Sequence, residues 1–232
     1  MSNDFSLKQF TIRQERAAMK VGTDGLLLGA WAAGGRFVLD IGTGTGLIAL
    51  MMAQRFPKAF VDAIDIDTDA ALQASENAGN SPFADRIEVR HTALQDFDTE
   101  RRYDAIVCNP PYFSQSLLPP DSKRTIARHD VALPFDDLFG HARRLLADGG
   151  LFSIIVPFDM ASKVTVSAAM KGFFMVRRCT VSSRPAKIPI RVLLAFALTP
   201  LPLIDEQETI YTSSSDYSEW YVALVRDFLL KF

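Results

Sequence analysis

The sequence predicts an α/β fold in which strand–turn–helix units build a mostly parallel sheet. Three observations support this: a glycine-rich turn that joins an apolar strand to a helix, an acidic residue at the tip of the following strand, and an Asn-Pro-Pro-Tyr segment directly after a later strand. At 232 residues the chain is long enough for one large domain with a sizeable core. We therefore expect a single domain over residues 1–232, with 1–35 as an N-terminal extension and 36–232 as the core.

Composition limits the classes of function. The formal net charge is −2 at pH 7, so any surface for nucleic acid must be a local patch. Cys108 and Cys179 lack a C-x-x-C spacing, which indicates reduced thiols in a cytosolic protein. His91, His129 and His141 are scattered, so we expect no metal site. The chain has no apolar run of about eighteen residues and no signal pattern, so we expect a soluble, cytoplasmic protein without membrane contact.

The N-terminal extension shows two patterns. Residues 5–21 alternate in part between apolar and polar side chains, which predicts short strands or a hairpin. The apolar run Leu26–Ala33 predicts a helix, and Thr23 or Asp24 is suited to cap it. The alternative is that this segment lies over a ligand bound at the sheet.

The glycine-rich turn lies between a buried strand, Phe37–Ile41, and a helix, Leu47–Arg55. Such a turn lets a ligand approach the backbone closely and directs the N–H groups of the helix N-terminus at that ligand. It contains three glycines, Gly42, Gly44 and Gly46. We therefore expect the first ligand site of the chain here, the alternative being a turn that is tight only for packing.

The spacing of the glycines bears on the ligand. Counted from Gly42, the dinucleotide pattern G-x-G-x-x-G fails because Leu47 takes the third position. Counted from Gly44, the looser form ending in alanine is met by Gly46 and Ala49, so spacing alone leaves a dinucleotide open. The whole pattern, D-x-G-x-G-x-G, resembles the cofactor loop of S-adenosylmethionine-dependent methyltransferases with a Rossmann-like core. That cofactor has a zwitterionic tail, and Asp40 would supply negative charge for its ammonium or sulfonium side.

The next strand, Ala59–Ile64, ends in Asp65, nineteen residues after Gly46. In glycine-loop folds an acidic residue about twenty positions beyond the loop hydrogen-bonds the ribose hydroxyls. A carboxylate suits this task because it accepts from both hydroxyls of a cis-diol. Asp65 is therefore the candidate ribose ligand, whereas Asp67 and Asp69 are expected to cap the following helix.

Two further strands lead to the acceptor segment. Asp96 follows the third strand, Ile87–Arg90, and is a candidate acceptor for the adenine amino group of the cofactor, the alternative being an exposed loop acid. The fourth strand, Tyr103–Cys108, brings Asn109-Pro110-Pro111-Tyr112 to its carboxyl end, where open α/β sheets bind their ligands. Each proline locks φ, so the pair holds the Asn109 side chain at a set position.

The Asn-Pro-Pro-Tyr segment suits methyl transfer to a planar nitrogen. The lone pair of an exocyclic amine or an amide is delocalised, so the nitrogen is a poor nucleophile. Two acceptors on its N–H bonds, the Asn109 side-chain oxygen and the Pro110 carbonyl, would pull it towards a tetrahedral shape and free the lone pair. Tyr112 would stack on a planar group, an interaction of about 1–3 kcal/mol per base. The alternative is a proline-stiffened turn with an Asn cap.

Together, the two motifs resemble the methyltransferases that carry N-P-P-Y and modify planar nitrogens: the N6-adenine methyltransferases of DNA and RNA and the release-factor glutamine methyltransferases. More narrowly, Phe10-Thr11-Ile12-x-Gln14 and the segment Met19–Trp31 resemble the opening of the bacterial tRNA1(Val) adenine-37 N6-methyltransferase family. The likeness continues through the glycine loop, Asp65 and Asn109–Phe113, and is weakest after about residue 160.

This resemblance implies a Rossmann-like class I methyltransferase with a seven-stranded, mostly parallel sheet, an antiparallel closing hairpin and helices on both faces. It places Thr23 and Asp24 close to the cofactor, with residues 1–35 over that site, and Tyr112 and Phe113 at the acceptor. The acceptor would be the adenosine next to the anticodon of a valine tRNA. Phe173–Ser182 and Arg191–Thr199 then read as the hairpin. The other predicted elements are a strand over Leu151–Val156 and helices over Phe135–Leu146, Ala161–Lys171 and Tyr217–Phe232.

Two groups of cations are candidates for RNA contact. The polar stretch Ser114–Asp130 includes Lys123 and Arg124 and either closes over the acceptor and grips phosphate or is a solvated loop. The denser group lies on and around the closing hairpin and contains no acid. It consists of Arg177, Arg178, Arg184, Lys187 and Arg191. Its cations would contact phosphates, the alternative being a charged hairpin tip.

We expect an S-adenosylmethionine-dependent enzyme that acts on a tRNA anticodon loop as a monomer. A release-factor glutamine methyltransferase is the nearest rival, but that class carries a separate helical N-terminal domain. A DNA adenine methyltransferase would need a target-recognition region for which this chain has little room. A binding module that has lost catalysis is opposed by the intact N-P-P-Y.

Overall fold

The computed structural model describes residues 4–17, 19–111 and 133–232. The described part contains a two-stranded and an eight-stranded sheet. The strands are β1 (Phe5–Ser6), β2 (Thr11–Ile12), β3 (Phe37–Ile41), β4 (Phe60–Asp65), β5 (Ile87–His91), β6 (Tyr103–Cys108), β7 (Leu146–Pro157), β8 (Phe174–Ser182), β9 (Pro189–Ala197) and β10 (Ile204–Thr209). The helices are α1 (Thr23–Trp31), α2 (Leu47–Arg55), α3 (Thr68–Gly79), α4 (Phe135–Leu145), α5 (Ala161–Met170) and α6 (Glu219–Val225).

The large sheet has the order β10-β8-β9-β7-β6-β3-β4-β5. Strands β3 to β7 are mutually parallel, and β9 is antiparallel to both β7 and β8. The predicted α/β class, the parallel sheet and the antiparallel hairpin are therefore confirmed. The strand count differs, because β10 adds an eighth strand parallel to β8.

Helices cover both faces of the sheet. Alternate residues of one strand enter opposite cores: Val38 packs in the core that includes α1 and α2, whereas Leu39 packs in the core that includes α4 and α5. Helix α1 lies close against α2, since a Cβ at Gly29 would come within 2.7 Å of the Met51 sulfur. No helix in the described ranges is long and apolar enough to cross a membrane.

Four local predictions have clear outcomes. The N-terminal hairpin is confirmed as β1 paired antiparallel with β2, and Asp67 caps α3 by accepting from Ala70 N at 2.8 Å. The capping prediction for Thr23 or Asp24 is wrong: Gly22 is the N-cap of α1, and no side chain caps the helix. The C-terminal helix is shorter than predicted, because α6 covers only Glu219–Val225.

Candidate active site

The ends of three neighbouring strands meet at the centre of the carboxyl edge. In the sheet register Cys108 lies beside Ile41, and Ile41 lies beside Ile64. The next residues, Asn109, Gly42 and Asp65, therefore lie at one level of the edge, on neighbouring strands about 4.8 Å apart. From β3 the sheet extends to β4 on one side and to β6 on the other. This is the switch point at which open α/β sheets form their ligand crevice.

The glycine loop has the shape of a cradle. Gly42, Gly44 and Gly46 have φ values of 69°, 57° and 82°, a left-handed conformation that favours glycine. A Cβ at Gly42 or Gly44 would meet no atom of the described residues within 4 Å, so space is open beside both glycines in this part of the chain. Gly46 is the N-cap of α2 and lies against Ala74, since a Cβ at Gly46 would come within 3.3 Å of the Ala74 Cα. The open side of the loop can therefore receive a ligand close to the backbone.

Asp40 lies beneath this loop and is fully buried. Its Oδ2 accepts from Thr43 Oγ1 at 2.7 Å and from Ala49 N at 3.1 Å, which ties the loop to α2. Its Oδ1 is buried without a hydrogen-bond partner in the described part of the chain. Burial raises the pKa of this carboxyl to about 7. Asp40 thus holds the loop from below, and its interaction with a cofactor ammonium stays a prediction.

Asp65 joins the loop to the tip of β4. Its Oδ2 accepts from Gly44 N at 2.8 Å, and its Oδ1 accepts from Asp67 N at 2.9 Å. Burial raises its pKa. Each carboxylate oxygen has a second lone pair, so the group retains acceptor capacity for ribose hydroxyls. Asp96 is exposed in the turn after β5, and this segment is attached to β4 because Thr92 N donates to Asp65 O at 2.9 Å.

The acceptor segment begins at the end of β6. Asn109 is half-buried and Pro110 is buried, as expected for a rigid turn at the floor of a crevice. The neighbouring Cys108 thiol is buried and its pKa is strongly raised by burial, so it is no nucleophile. The predicted acceptor residues Tyr112 and Phe113 and the predicted phosphate contacts Lys123 and Arg124 lie outside the described residues.

Asp24 forms an ion pair with the closing hairpin. Arg191 Nε donates to Asp24 Oδ1 at 2.9 Å and to Oδ2 at 2.8 Å. This long-range partner takes up the carboxylate that the local pattern assigned to a helix cap. The pair brings the first turn of α1 next to the start of β9, and a cofactor contact of Thr23 or Asp24 stays a prediction.

A buried amide, which the sequence analysis missed, connects the N-terminal extension to the glycine loop. Asn77 Nδ2 donates to Thr45 O and to Arg13 O, each at 2.8 Å, and its Oδ1 accepts from Arg13 N at 3.0 Å. One turn earlier on α3, Gln73 accepts from Arg16 N at 3.3 Å. Two polar residues spaced i, i+4 on the buried face of a short helix were the only available signal, and it does not reveal the partners.

The basic cluster is divided by its partners. The guanidinium groups of Arg177 and Arg178 pair with Glu206 and Asp205, which β10 supplies. Arg177 also lies 4.3 Å from the Trp31 ring centroid. Arg184 and Lys187 are exposed at the hairpin tip. RNA contact by any of these four cations stays a prediction. The structure does show that Arg177 and Arg178 are paired with carboxylates, whereas Arg184 and Lys187 are exposed at the hairpin tip.

Known proteins share this fold. A glycopeptide N-methyltransferase, MtfA, in complex with S-adenosyl-L-methionine has a TM-score of 0.57 at 13% identity, covering 78% of this chain and 100% of that one. A structure titled as a predicted O-methyltransferase from Agrobacterium tumefaciens has a TM-score of 0.71 at 18% identity, covering 88% and 96%. At these identities the likeness shows the fold alone.

Sequence relatives show the family. The methyltransferase small domain model matches residues 17–183. A protein of Phocaeicola vulgatus named tRNA1(Val) (adenine(37)-N6)-methyltransferase is 48% identical over 97% of both chains, and one of the same name from Parabacteroides distasonis is 45% identical over 98% of both. The chain is a methyltransferase and belongs to the tRNA1(Val) (adenine(37)-N6)-methyltransferase family.

Proposed function

We propose that the protein transfers a methyl group from S-adenosylmethionine to the N6 amino group of adenosine 37, next to the anticodon of a valine tRNA. The names of the near full-length relatives support the acceptor. The observation that supports methyl transfer is that Asn109 and Gly42 lie at the same height on neighbouring strands. The acceptor turn and the glycine cradle then face one crevice. A tRNA substrate also implies a cytoplasmic enzyme.

The residues of the edge fit S-adenosylmethionine. The open space beside Gly42 and Gly44 suits a ligand that touches the backbone, and the free lone pairs of Asp65 suit a ribose diol. When bound, this cofactor supplies an electrophilic methyl group on a sulfonium sulfur. We assign its contacts to Thr23, Asp24, Asp40, Gly42, Gly44, Gly46, Asp65, Asp96 and Asn109.

The chain's own part in the reaction is to prepare and align the acceptor. The Asn109 side-chain oxygen and the Pro110 carbonyl oxygen accept hydrogen bonds from the two N–H groups of the adenine amino group. These hydrogen bonds draw the two hydrogens out of the ring plane. The lone pair is then free to form the bond to the methyl carbon, and the nitrogen afterwards releases one of its two protons to solvent. The fixed turn holds the nitrogen in line for transfer, and such alignment lowers a barrier substantially when the reacting atoms lie about 3–3.5 Å apart. Buried Pro110 keeps this geometry rigid.

The RNA is expected to contact the chain around this turn. Tyr112 and Phe113 stack against the adenine, since base–aromatic stacking contributes about 1–3 kcal/mol. Bases of an anticodon loop are unpaired or easily splayed, so presenting one costs only a few kcal/mol. The phosphate contacts are assigned to Lys123, Arg124, Arg184 and Lys187. The sequence also suggested Arg177 and Arg178, but their guanidinium groups are already paired with Glu206 and Asp205.

A direct test offers the purified protein a panel of acceptors with labelled S-adenosylmethionine. The panel contains total tRNA, ribosomal RNA, duplex DNA and a peptide release factor. We expect label in tRNA alone, and nuclease mapping should give N6-methyladenosine at position 37. Label on the release factor would instead support a glutamine amide, which satisfies the same two acceptors. Label in DNA, or at another tRNA position, would also overturn the proposal.

A further inference from the structure

The tip of the β8–β9 hairpin lies at the same edge as the acceptor turn. Strand β7 runs parallel to β6, and its last residue, Pro157, pairs with Arg191 at the start of β9. The connection from Ser182 to Pro189 therefore faces the carboxyl edge. In the sheet β9 is two places and β8 three places from β6. Asn109 lies level with Ile155 and so with Leu193, whereas the tip begins at Pro189, four residues further towards this edge. This rise of about 13 Å, combined with a lateral spacing of about 10–15 Å, puts the tip roughly 20 Å from Asn109.

The tip differs in charge from the strands that support it. On β8, Arg177 and Arg178 are each compensated by a carboxylate of β10. On the tip, Arg184 and Lys187 are exposed, and neither has an ion-pair partner among the described residues. An uncompensated cation attracts a polyanion, whereas a paired cation must first lose its carboxylate.

A third cation lies against a pair of tyrosines next to the tip. Tyr211 N donates to Ser183 O at 3.0 Å, which joins this group to the hairpin connection. The Tyr211 and Tyr217 rings lie 4.9 Å apart, and Lys231 Nζ lies 4.5 Å from the Tyr217 centroid. Lys231 is exposed. The aromatic contacts hold this cation in place, so less conformational entropy is lost when it binds a phosphate.

The same groups interact electrostatically. The pKa of Tyr211 is raised, chiefly because its hydroxyl is hydrogen-bonded to Tyr217, while the positive charges of Lys231 and Arg184 act in the opposite direction. Glu208, in the shallow cleft between the tip and β10, is the opposing carboxylate. Asp216, in the turn between Tyr211 and Tyr217, is a second acid close by. Among these groups the three cations therefore exceed the two acids by one.

We propose that Arg184, Lys187 and Lys231 form one phosphate-binding surface, the tip surface, for the tRNA backbone beside the adenosine that enters the crevice. The distance of roughly 20 Å to Asn109 corresponds to about six nucleotides at the roughly 3.4 Å rise of a stacked strand. Arg177 and Arg178 support the hairpin through their ion pairs and contribute little to RNA affinity. The inference rests on the proposed function, because it takes the substrate to be RNA.

The test compares two double variants that lose the same charge. Arg184→Ala with Lys187→Ala removes two cations from the tip. Lys58→Ala with Arg102→Ala removes two exposed cations just before β4 and β6, at the opposite edge of the sheet. The dissociation constant of a valine tRNA transcript is measured for each variant at several salt concentrations. Cofactor affinity and the thermal midpoint of unfolding serve as checks on folding.

We expect the tip variant to bind tRNA at least tenfold more weakly and to lower the salt slope by about two, since each phosphate contact contributes roughly 0.9. Lys231→Ala should lower the slope by about one. The opposite-edge variant and Arg178→Ala should keep the wild-type slope. Equal loss at both edges, or a tip variant indistinguishable from wild type that still methylates tRNA, overturns the tip surface alone. A wild-type protein that neither binds nor methylates tRNA overturns the proposed function as well.

Discussion

At the centre of the sheet, the ends of β6, β3 and β4 present backbone groups and buried side chains, whereas the wing of β8, β9 and β10 presents charged side chains at the surface. In the centre, positive φ at Gly42 and Gly44 and the buried carboxylate of Asp40 fix the shape. In the wing, long-range ion pairs fix it, such as Arg191 with Asp24 and Arg177 with Glu206. The centre is thus specified by local sequence and the wing by partners distant in the chain.

This difference determines how each region is interpreted. A motif in the centre carries its geometry with it, because a strand end and a glycine turn suffice to place the functional groups. A cluster of cations in the wing carries no such information, because its effective charge depends on which acids the fold brings beside it. The three predictions below test the comparison, beginning with the largest expected effect.

Asn109→Ala tests whether the centre of the sheet carries out methyl transfer. Loss of one acceptor on the amino group leaves the nitrogen lone pair delocalised, so we expect turnover to fall roughly 100-fold or more, the scale for one positioned polar group at a reacting centre. Affinity for S-adenosylmethionine, measured by calorimetry, should fall much less, because Asn109 shares the assigned cofactor contacts with eight other residues. An equal loss of turnover and cofactor affinity would mean that the segment is only structural.

Gly44→Ala tests whether S-adenosylmethionine occupies the open space beside the glycine loop. The new methyl group would meet no atom of the described residues within 4 Å, but alanine at the positive φ of this position costs about 1–2 kcal/mol of stability. Gly149, with φ of 76° and equally open surroundings, lies near the start of β7, away from the crevice. Gly149→Ala should cost similar stability.

Only Gly44→Ala should weaken cofactor binding, by about tenfold or more, or at least 1.4 kcal/mol. Calorimetric titration of both variants with S-adenosylmethionine, beside their urea unfolding curves, separates strain from occupied space. Similar cofactor affinities in the two variants would show that the space beside Gly44 is not used.

Asp40→Asn tests whether a buried carboxyl governs the centre's response to pH. Its folded pKa of about 7 lies above the unfolded value, so between about pH 4 and pH 7 the folded state keeps a proton that the unfolded chain releases. The free energy of unfolding therefore falls as pH rises through this window. An asparagine does not titrate, so this decline should be smaller in the variant.

Urea unfolding at pH 5, 6 and 7 measures the effect of Asp40→Asn. The exposed acid Asp85, replaced by Asn, is the control for loss of one carboxyl group. If wild type and Asp40→Asn lose stability in parallel over this range, the carboxyl ionises as readily in the fold as in the open chain.

The sequence predicted the centre well because its signals are local. The strand–glycine–helix pattern located Gly42 and Gly44. The interval to Asp65 predicted a carboxylate beside this loop, and Asp65 indeed accepts a hydrogen bond from Gly44 N. Asn109 could be placed for the same reason, since parallel strands end at one edge. The roles of these residues towards ligands stay predictions.

The wing and the extension were harder, for physical reasons. Strand β10, Ile-Asp-Glu-Gln-Glu-Thr, shows no apolar alternation, because it is an edge strand held partly by ion pairs. Asp24 looked like a helix cap because its partner, Arg191, lies 167 residues away. Asn77 gave only a polar position on a helix, and its hydrogen bonds to Arg13 and Thr45 appear only in the folded chain.

The two native cysteines are suited to spectroscopy. Cys108 and Cys179 are both buried, and burial raises the pKa of Cys179 to about 12. Maleimide dyes attack exposed thiolates, so the folded protein should remain unlabelled at both positions. One cysteine introduced at Ser183 would then carry the only fluorophore, beside the tip surface. RNA docking could be followed in real time by the emission of that dye, without first replacing either native cysteine.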